Sequence, residues 1–458
     1  MRVWTAAAGA VCGMLLVALA CGFSSEKDAA LPPLIVTAAP QYVSLAALRG
    51  GERFPDGAQL MVLRSGRMQP LVPDFAASAD ASVSFDAKTV LFAGKKNAAE
   101  PWQIWRMPVE GGAAQLVLGG KADLIRPLWM PDQRMVYARR EAKGFALETA
   151  GADGSDVLPL TYLPGNFIPD DVLRDGRVLF ESGFPLGDGA MPEMFLVYAD
   201  GSGVESVRCD HPDGLKTRGR EHGRALESGD IVFTHGARLA RFTSALAEEA
   251  LVSAPAGEYA GDVAEAGDGR WLVSLRRAGA RRFALAAWKP GATALTVIAQ
   301  EAGRDLVEPV VVAPREVPKR HPTALHPWSY GNLLALDARE SRGGMRTGSP
   351  VRVRAETMNQ AGQVIALGTA PVEKDGSFYV QAAGDRPLRF ILLDAAGHPL
   401  RAEHGWFWVR RGEQRICVGC HTGPERSPEN QVPLVLLHTT TPVDLTGGAA
   451  AAPTTGGR

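Results

Sequence analysis

Cysteine is scarce in this chain: five residues in 458, of which Cys12 and Cys21 fall at the N-terminus. That leaves Cys209, Cys417 and Cys420 for the body. Three is a poor number for a disulfide framework, and a chain of this size does not need one. Neither sign of charge is in excess. The 49 Lys and Arg are set against 50 Asp and Glu, a formal net charge of −1, so nothing marks nucleic acid or an anionic membrane surface as the main partner. The sequence also lacks a second CxxC, a hydrolytic triad, a phosphate-binding loop and a metal cluster with usable spacing. What it has in quantity is turn residues, 51 Gly and 32 Pro, which suit many short strands rather than long helices. The length exceeds one core and predicts two or three domains.

The first residues read as a targeting segment. Arg2 supplies a positive start, an apolar run follows through residue 20, and Ala18-Leu19-Ala20 places small residues before Cys21. The run is barely long enough to span a membrane, and the cleavage pattern argues against an anchor. Cys21 at the new N-terminus resembles a bacterial lipobox, with Ala18 where Leu is usual; plain export with signal removal is the alternative. Either way residues 1–21 are a signal peptide and the mature chain is exported, expected as a periplasm-facing lipoprotein, at the outer membrane, or as a soluble periplasmic protein. Residues 22–41, with Pro32-Pro33, read as a tether.

From residue 42 to 328 the chain repeats loosely. A polar turn precedes an apolar alternating run, as in Ser84-Phe85-Asp86-Ala87-Lys88 before Thr89–Ala93, Met130-Pro131-Asp132 before Met135–Tyr137, and Arg174-Asp175-Gly176 before Val178–Phe180. Ser228-Gly229-Asp230 and Asp268-Gly269-Arg270 continue the series. Turn centres near 86, 132, 175, 229 and 268 lie 46, 43, 54 and 39 residues apart. A period of about 45 with several strands per unit is the signature of β-propeller blades, which stack because none buries both faces alone. A β-sandwich or a run of unrelated β domains is the competing pattern. The units resemble the TolB-type propeller repeat. Six blades fit best and seven are possible, the ring closing where Gln59–Leu63 pairs with Leu306–Val312.

A Pro-rich, basic stretch at 313–328 leaves the ring, and a second β-rich domain follows at 329–440. Its strands are expected at Asn332–Asp337, Val351–Glu356, Val364–Gly368, Ser377–Val380, Arg389–Asp394 and Trp406–Val409, and residues 441–458 read as a disordered tail. The fold class is thus all-β, a propeller followed by a smaller β-sandwich-like domain.

Chemistry concentrates in Cys417-Val418-Gly419-Cys420-His421. Two thiols two residues apart reach the two vinyl groups on one porphyrin edge, and the adjoining imidazole turns under the ring onto iron. This is the attachment signature of one covalent c-type haem, with Cys417 and Cys420 in thioether bonds and His421 axial. A thioredoxin-like pair, a surface disulfide, and a zinc site completed by His438 are the alternatives. His404, His438, His398, His326 and Met345 are candidates for the sixth iron position. Arg410, Arg411 and Arg415 either face the haem propionates or form a solvated turn. Trp406 and Trp408 share one strand face, packing in the core or against porphyrin.

The order Asp375–Tyr379, Leu393-Asp394, Trp406–Arg410, Gly412-Glu413 and Cys417–His421 resembles the haem-bearing middle domain of the hydrazine synthase alpha subunit family. Glu425, Pro428, Asn430 and Pro433 look like positions recurring after the haem motif in that family. The resemblance implies a propeller before the haem domain. The family carries a further haem domain and works with other subunits, so this chain reads as a one-haem relative rather than a hydrazine-forming enzyme. The expected function is electron transfer in the cell envelope, with the propeller docking a redox partner protein or small molecule. A haem enzyme acting on a small nitrogen or oxygen compound at an open iron, and an envelope scaffold with structural haem, are the alternatives.

Overall fold

The computed structural model describes residues 31–142, 144–182, 192–207, 219–244, 247–339, 349–359, 361–403, 405–418 and 432–447. The first strands are β1 (Leu34–Ala39), β2 (Gln59–Arg64) and β3 (Arg67–Pro70). Four antiparallel sheets of four strands then follow in chain order: β4 (Ala77–Val83), β5 (Thr89–Lys95), β6 (Gln103–Pro108), β7 (Gln115–Leu118); β8 (Leu124–Met130), β9 (Arg134–Glu141), β10 (Gly144–Gly151), β11 (Leu158–Pro159); β12 (Phe167–Val172), β13 (Val178–Ser182), β14 (Glu193–Val197), β15 (Glu205–Ser206); and β16 (Arg220–Ala225), β17 (Ile231–His235), β18 (Arg238–Phe242), β19 (Ala250–Leu251). A further sheet holds β20 (Glu258–Glu265), β21 (Trp271–Arg276), β22 (Ala284–Trp288) and β23 (Thr296–Ala299). Finally β24 (Asp305–Val311) returns to pair with β1, giving the order β24-β1-β2-β3 and six blades.

The repeated turns have one local cause. Asp86, Asp175 and Asp268 each accept a hydrogen bond from the backbone N–H two residues on, at 3.1, 3.1 and 3.0 Å, which folds the chain back between the first and second strands of a blade. Aromatic side chains then pack within the blades. Phe92 packs at T-shaped geometry on Phe75, Phe167 on Phe180, and Trp271 on Trp288.

Ring closure differs from the expectation in one strand. Gln59–Leu63 does belong to the closing blade, but it is β1 that pairs with β24, with Ala38 opposite Leu306 and Leu34 opposite Val311, while β2 lies on the other side of β1. The expected tether therefore contains a strand whose six residues are all buried. Leu-Ile-Val-Thr-Ala-Ala does not alternate because both of its faces are covered, and a short unbroken apolar run is ambiguous by pattern alone.

The loop from Pro40 to Ala58 crosses one mouth of the ring. Tyr42 N–H donates to Asp305 at 3.0 Å, the Asn166 amide donates to Leu48 O at 3.0 Å, Arg140 donates to Gly50 O at 3.0 Å, and Arg53 reaches Asp80 and Glu308. With Tyr42 and Ser44 also bonded to His222 and Glu221 of β16, one loop touches five blades.

Residues 313–328 have no regular structure, yet they stay on the ring: Arg315 N–H donates to Phe85 O, Lys319 N–H to Arg174 O, and His321 stacks on Tyr198 at 3.9 Å. The second domain holds β25 (Tyr330–Ala335), β26 (Arg352–Met358), β27 (Val364–Pro371), β28 (Phe378–Ala383), β29 (Arg389–Leu393), β30 (Pro399–Ala402), β31 (Gln414–Cys417), the short helix α1 (Leu434–His438) and β32 (Val443–Asp444). They form two sheets, β31-β25-β28-β32 and β27-β26-β29-β30, which enclose Leu333, Val353, Phe378, Val380, Phe390 and Leu392. This is the expected sandwich, with two changes. The tail begins later, because β32 pairs with β28 and Leu445 is buried in the core. Trp406–Val409 is not a strand but a single bridge, Phe407 to Leu388, because its side chains serve two domains.

Candidate functional site

The segment before the cysteine motif is bolted to the propeller. Trp408 is fully buried among propeller residues, its ring 6.0 Å from that of Tyr162, and its indole N–H donates to Gly201 O at 2.8 Å. Arg410 donates to Asp200 O and to Asp385, the latter at 2.7 Å, and Arg415 donates to Val204 O. Glu413 ties both sides, accepting from the N–H of Gly203 at 3.1 Å and of Arg410 at 2.7 Å. Gly201 has a φ of 83°, and a Cβ there would stand 2.8 Å from the Arg410 guanidinium. Only glycine allows both that backbone and that approach.

From this clamp the chain enters β31, an edge strand parallel to β25, and Cys417 lies opposite Ala335, which in turn lies opposite Phe378. These three residues mark one end of the sheet. The chain comes back at the same end, where Leu434 N–H donates to Asp375 at 2.7 Å and Val435 N–H to Ser377 at 3.1 Å. The segment carrying Cys420 and His421 thus leaves and rejoins one end of the sheet, at the two strands that flank β25, about 10 Å apart. Around them Ile416, Val432 and Leu437 are exposed aliphatic side chains.

The Cys417 thiol packs against the sandwich core and forms no disulfide among the described residues. Burial pushes it above the ordinary thiol value; Arg415 opposes this, and Glu403 and Glu413 add to it. A disulfide oxidoreductase needs the opposite, a thiolate stabilised near neutral pH, so the redox-pair alternative loses its chemistry. Burial likewise lifts the Glu403 carboxyl to about 7, against Arg415 and Arg401. Glu403 was not singled out in the sequence, although it directly precedes His404. A thiol held without a disulfide at a fixed sheet end, next in sequence to the exposed Ile416, fits the apolar edge of a covalently held macrocycle.

The other predicted positions divide. Cys21, Cys209, Met345, His404, Cys420, His421, Glu425, Pro428 and Asn430 lie outside the described residues. His438 ends α1 at the Cys417 end of the sheet and bonds Glu373 at 2.9 Å, while Pro433 precedes α1. His398 is exposed in the β29–β30 turn against Asp394. His326 stacks on Trp328 before β25, at the far end of the sheet from Cys417. Arg410 and Arg415 are neither a solvated turn nor free for propionates, since both guanidiniums are engaged by the propeller; Arg411 pairs with Asp385 and is exposed. Trp408 enters the propeller core, whereas Trp406 lies under the Arg389 guanidinium, so they share no strand face.

A second concentration of chemistry was missed. The innermost strands β24, β4, β8, β12, β16 and β20 are each interrupted by a bulge. At these bulges stand Asp80, Arg126, Asp170, His222, Asp262 and Glu308, all buried. Asp80, Arg126, His222 and Glu308 adopt φ of 55–57°, a conformation that costs non-glycine residues energy and persists only when surroundings impose it. Arg126 donates to both oxygens of Asp262 at 2.7 and 2.8 Å, and Arg53 reaches in to Asp80 at 2.9 Å. A signal existed: 80, 126, 170, 222, 262 and 308 are 46, 44, 52, 40 and 46 residues apart, a charged or imidazole side chain recurring at the blade period within apolar strands.

Fold and site together define a class: a six-bladed propeller clamped to a β-sandwich that presents a cysteine at one sheet end. Residues 335–422 match the family model for the hydrazine synthase alpha subunit middle domain, a range that includes Cys417–His421. Among solved structures, the Kuenenia stuttgartiensis hydrazine synthase is similar with a TM-score of 0.75 at 16% identity, over 89% of this chain and 71% of that one. TolB from Acinetobacter baumannii is similar at a TM-score of 0.47 and 12% identity, over 61% of this chain and 66% of that one. No curated protein matches the chain in sequence. The likeness in sequence is thus to the hydrazine synthase alpha subunit middle domain over residues 335–422, and the likeness to the solved hydrazine synthase is one of fold.

Proposed function

We propose that this chain is an exported c-type haem protein that transfers electrons in the cell envelope, with haem joined to Cys417 and Cys420 and its iron held by His421. The observation that carries the reading is the placement of Cys417, an unpaired thiol at a rigid sheet end with the rest of CxxCH next in sequence. Haem supplies a one-electron couple whose potential depends on its axial ligands and on burial. The chain's own residues hold that group in place. Trp408, Arg410, Glu413 and Arg415 fix the approach to it, and the exposed Ile416, Val432 and Leu437 offer it an apolar seat. The signal segment ending at Cys21 supports export and acylation there, and the propeller supplies the docking surface for a partner protein or small molecule.

A second reading, reaction with a small nitrogen compound at an open iron, draws on the likeness over 89% of this chain to a protein described as hydrazine synthase. One preparation separates the two. Chain matured in a host that attaches c-type haem should be coloured, retain haem on denaturing gels, and lose it in a Cys417→Ala/Cys420→Ala variant. A low-spin spectrum unmoved by cyanide, nitric oxide or hydroxylamine supports electron carriage, and a shift on adding them supports the open-iron reading. Colourless protein with the two thiols joined to each other would refute both.

A further inference from the structure

Apart from the haem reading, and independent of it, we infer that the propeller channel holds a divalent transition-metal ion of the zinc or manganese kind, bound by Asp170, Glu181 and His222. The three come from adjacent blades, on β12, β13 and β16, and one donor atom from each lies within 4.8 Å of the others. Ligands around one tetrahedral ion at Zn–O and Zn–N lengths stand about 3.4 Å apart, so side-chain adjustments of about an ångström close the site.

Two buried atoms aimed into this cluster have no partner. Asp170 spends Oδ2 on the Gly223 N–H at 3.2 Å and leaves Oδ1 without a donor. His222 makes its contacts through Nε2, with Tyr42 Oη at 2.9 Å and Ser44 Oγ at 3.0 Å, and leaves Nδ1 without one. Ser44 gives its single hydrogen to Glu221, so toward His222 it accepts. With Tyr42 likewise accepting, the imidazole hydrogen is on Nε2 and Nδ1 is a bare lone pair, the tautomer the proposed ion requires. A metal-binding histidine is oriented in this way, one nitrogen donating to a fixed partner and the other free for the ion. The competing reading pairs a protonated Nδ1 with Asp262, but that distance is 3.8 Å, too long for a hydrogen bond, and Asp262 is already satisfied by Arg126.

Charge balance points the same way. Six buried carboxyl groups cluster here, Asp80, Asp170, Glu181, Glu221, Asp262 and Glu308, against the half-buried Arg224, 3.8 Å from Asp262, and the buried guanidiniums of Arg53 and Arg126. Those two arginines pair with Asp80, Asp262 and Glu308; Asp170 and Glu181 have no ion-pair partner among the described residues. Two adjacent buried carboxyl groups without a counter-charge are matched by one divalent cation, and three protein ligands leave one position for water or a small anion.

The test uses the full-length exported chain, purified without chelator and analysed for metals by mass spectrometry. One equivalent of zinc or manganese beyond any iron is expected. Dialysis against EDTA should lower Tm, and added Zn2+ or Mn2+ should restore it by several degrees, because an ion that binds only the folded state stabilises it. Asp170→Asn and His222→Gln should each lower the bound metal at least tenfold while a Cys417→Ser/Cys420→Ser variant keeps it. Wild-type chain that holds no metal and shows no Tm response to either ion overturns the inference without any variant needing to fold. So does metal that survives Asp170→Asn and His222→Gln but leaves with the two cysteines, since it would then belong to the CxxCH segment.

Discussion

Trp408, nine residues before Cys417, hydrogen-bonds not to its own domain but to the Gly201 carbonyl of a propeller turn, at 2.8 Å. A fully buried tryptophan of one domain inside the core of the other makes the two move as one. Truncation to Ala leaves a large cavity and an unpaired carbonyl, with a cost of about 3–5 kcal/mol; Phe keeps most of the packing and loses the bond, about 1 kcal/mol. Trp408→Ala should therefore lower Tm far more than Trp408→Phe. It should also make the 313–328 connection more sensitive to limited proteolysis than in wild type. Equal proteolysis of the two variants and wild type would show that the clamp lies elsewhere.

Ring closure yields a sharper test of where the propeller starts. β1 contributes six buried residues and both neighbours of its sheet, β24 and β2. A chain starting at residue 41 exposes the edge of β24 and removes the core side chains of Leu34, Ile35 and Val36. It should be insoluble or unfolded by circular dichroism, whereas a chain starting at residue 31 should fold. The milder Ile35→Asp buries an unpaired carboxylate, and the same scan should show a loss of several kcal/mol. A stable, soluble chain from residue 41 would mean that the segment is a tether after all.

The difference between what the sequence revealed and what it hid follows from the range of each interaction. The turns at Asp86, Asp175 and Asp268 are made by side chains two residues from their partners, so their period was legible and gave the blades. CxxCH is likewise local, which is why Cys417 could be named. Contacts between distant residues were not legible. Arg410 and Arg415 looked like a basic turn near a cofactor because nothing local reveals that their partners are Asp200 and Val204, some 210 residues earlier. β1 was hidden for the reverse reason, since a doubly covered strand has no alternation to detect. The channel ring lay between these cases, visible only after the blade period was applied to charged residues instead of turns.

Arg53 tests the energetics of that ring. It reaches from the Pro40–Ala58 loop to both Asp80 and Glu308 with every partner buried. Removing one member of a buried ion network leaves uncompensated charge, at about 3–5 kcal/mol. Arg53→Ala should lower the denaturant midpoint accordingly. Arg53→Ala with Glu308→Gln should recover part of the loss, because one stranded carboxylate is gone. An additive double variant would show that Arg53 acts through packing, including its contact with the Phe54 ring.

The channel also sets a pH dependence whose sign can be stated. Burial raises Asp170 to about 8 and Glu221 and Glu308 each to about 7, with Arg53 pulling all three back, Arg126 pulling back Asp170 and Glu308, and Asp262 pushing those same two further up. His222 moves the other way, down to about 3, through burial and then the nearby Arg53. Each raised carboxyl keeps in the fold a proton that the unfolded chain releases above pH about 4, so stability falls as pH climbs from there to the folded value. His222 stays neutral in the fold where the unfolded imidazole is charged, so its contribution is lost as pH falls from about 6.5 toward 3. Below about 6.5 the two trends oppose; above it only the carboxyls act. In chelator-treated chain Tm should therefore decline between pH 6.5 and 8, and Asp170→Asn should flatten that decline by removing one of the raised carboxyls. Tm values that hold constant across this window in both proteins would mean that these carboxyls are ionised in the fold at neutral pH.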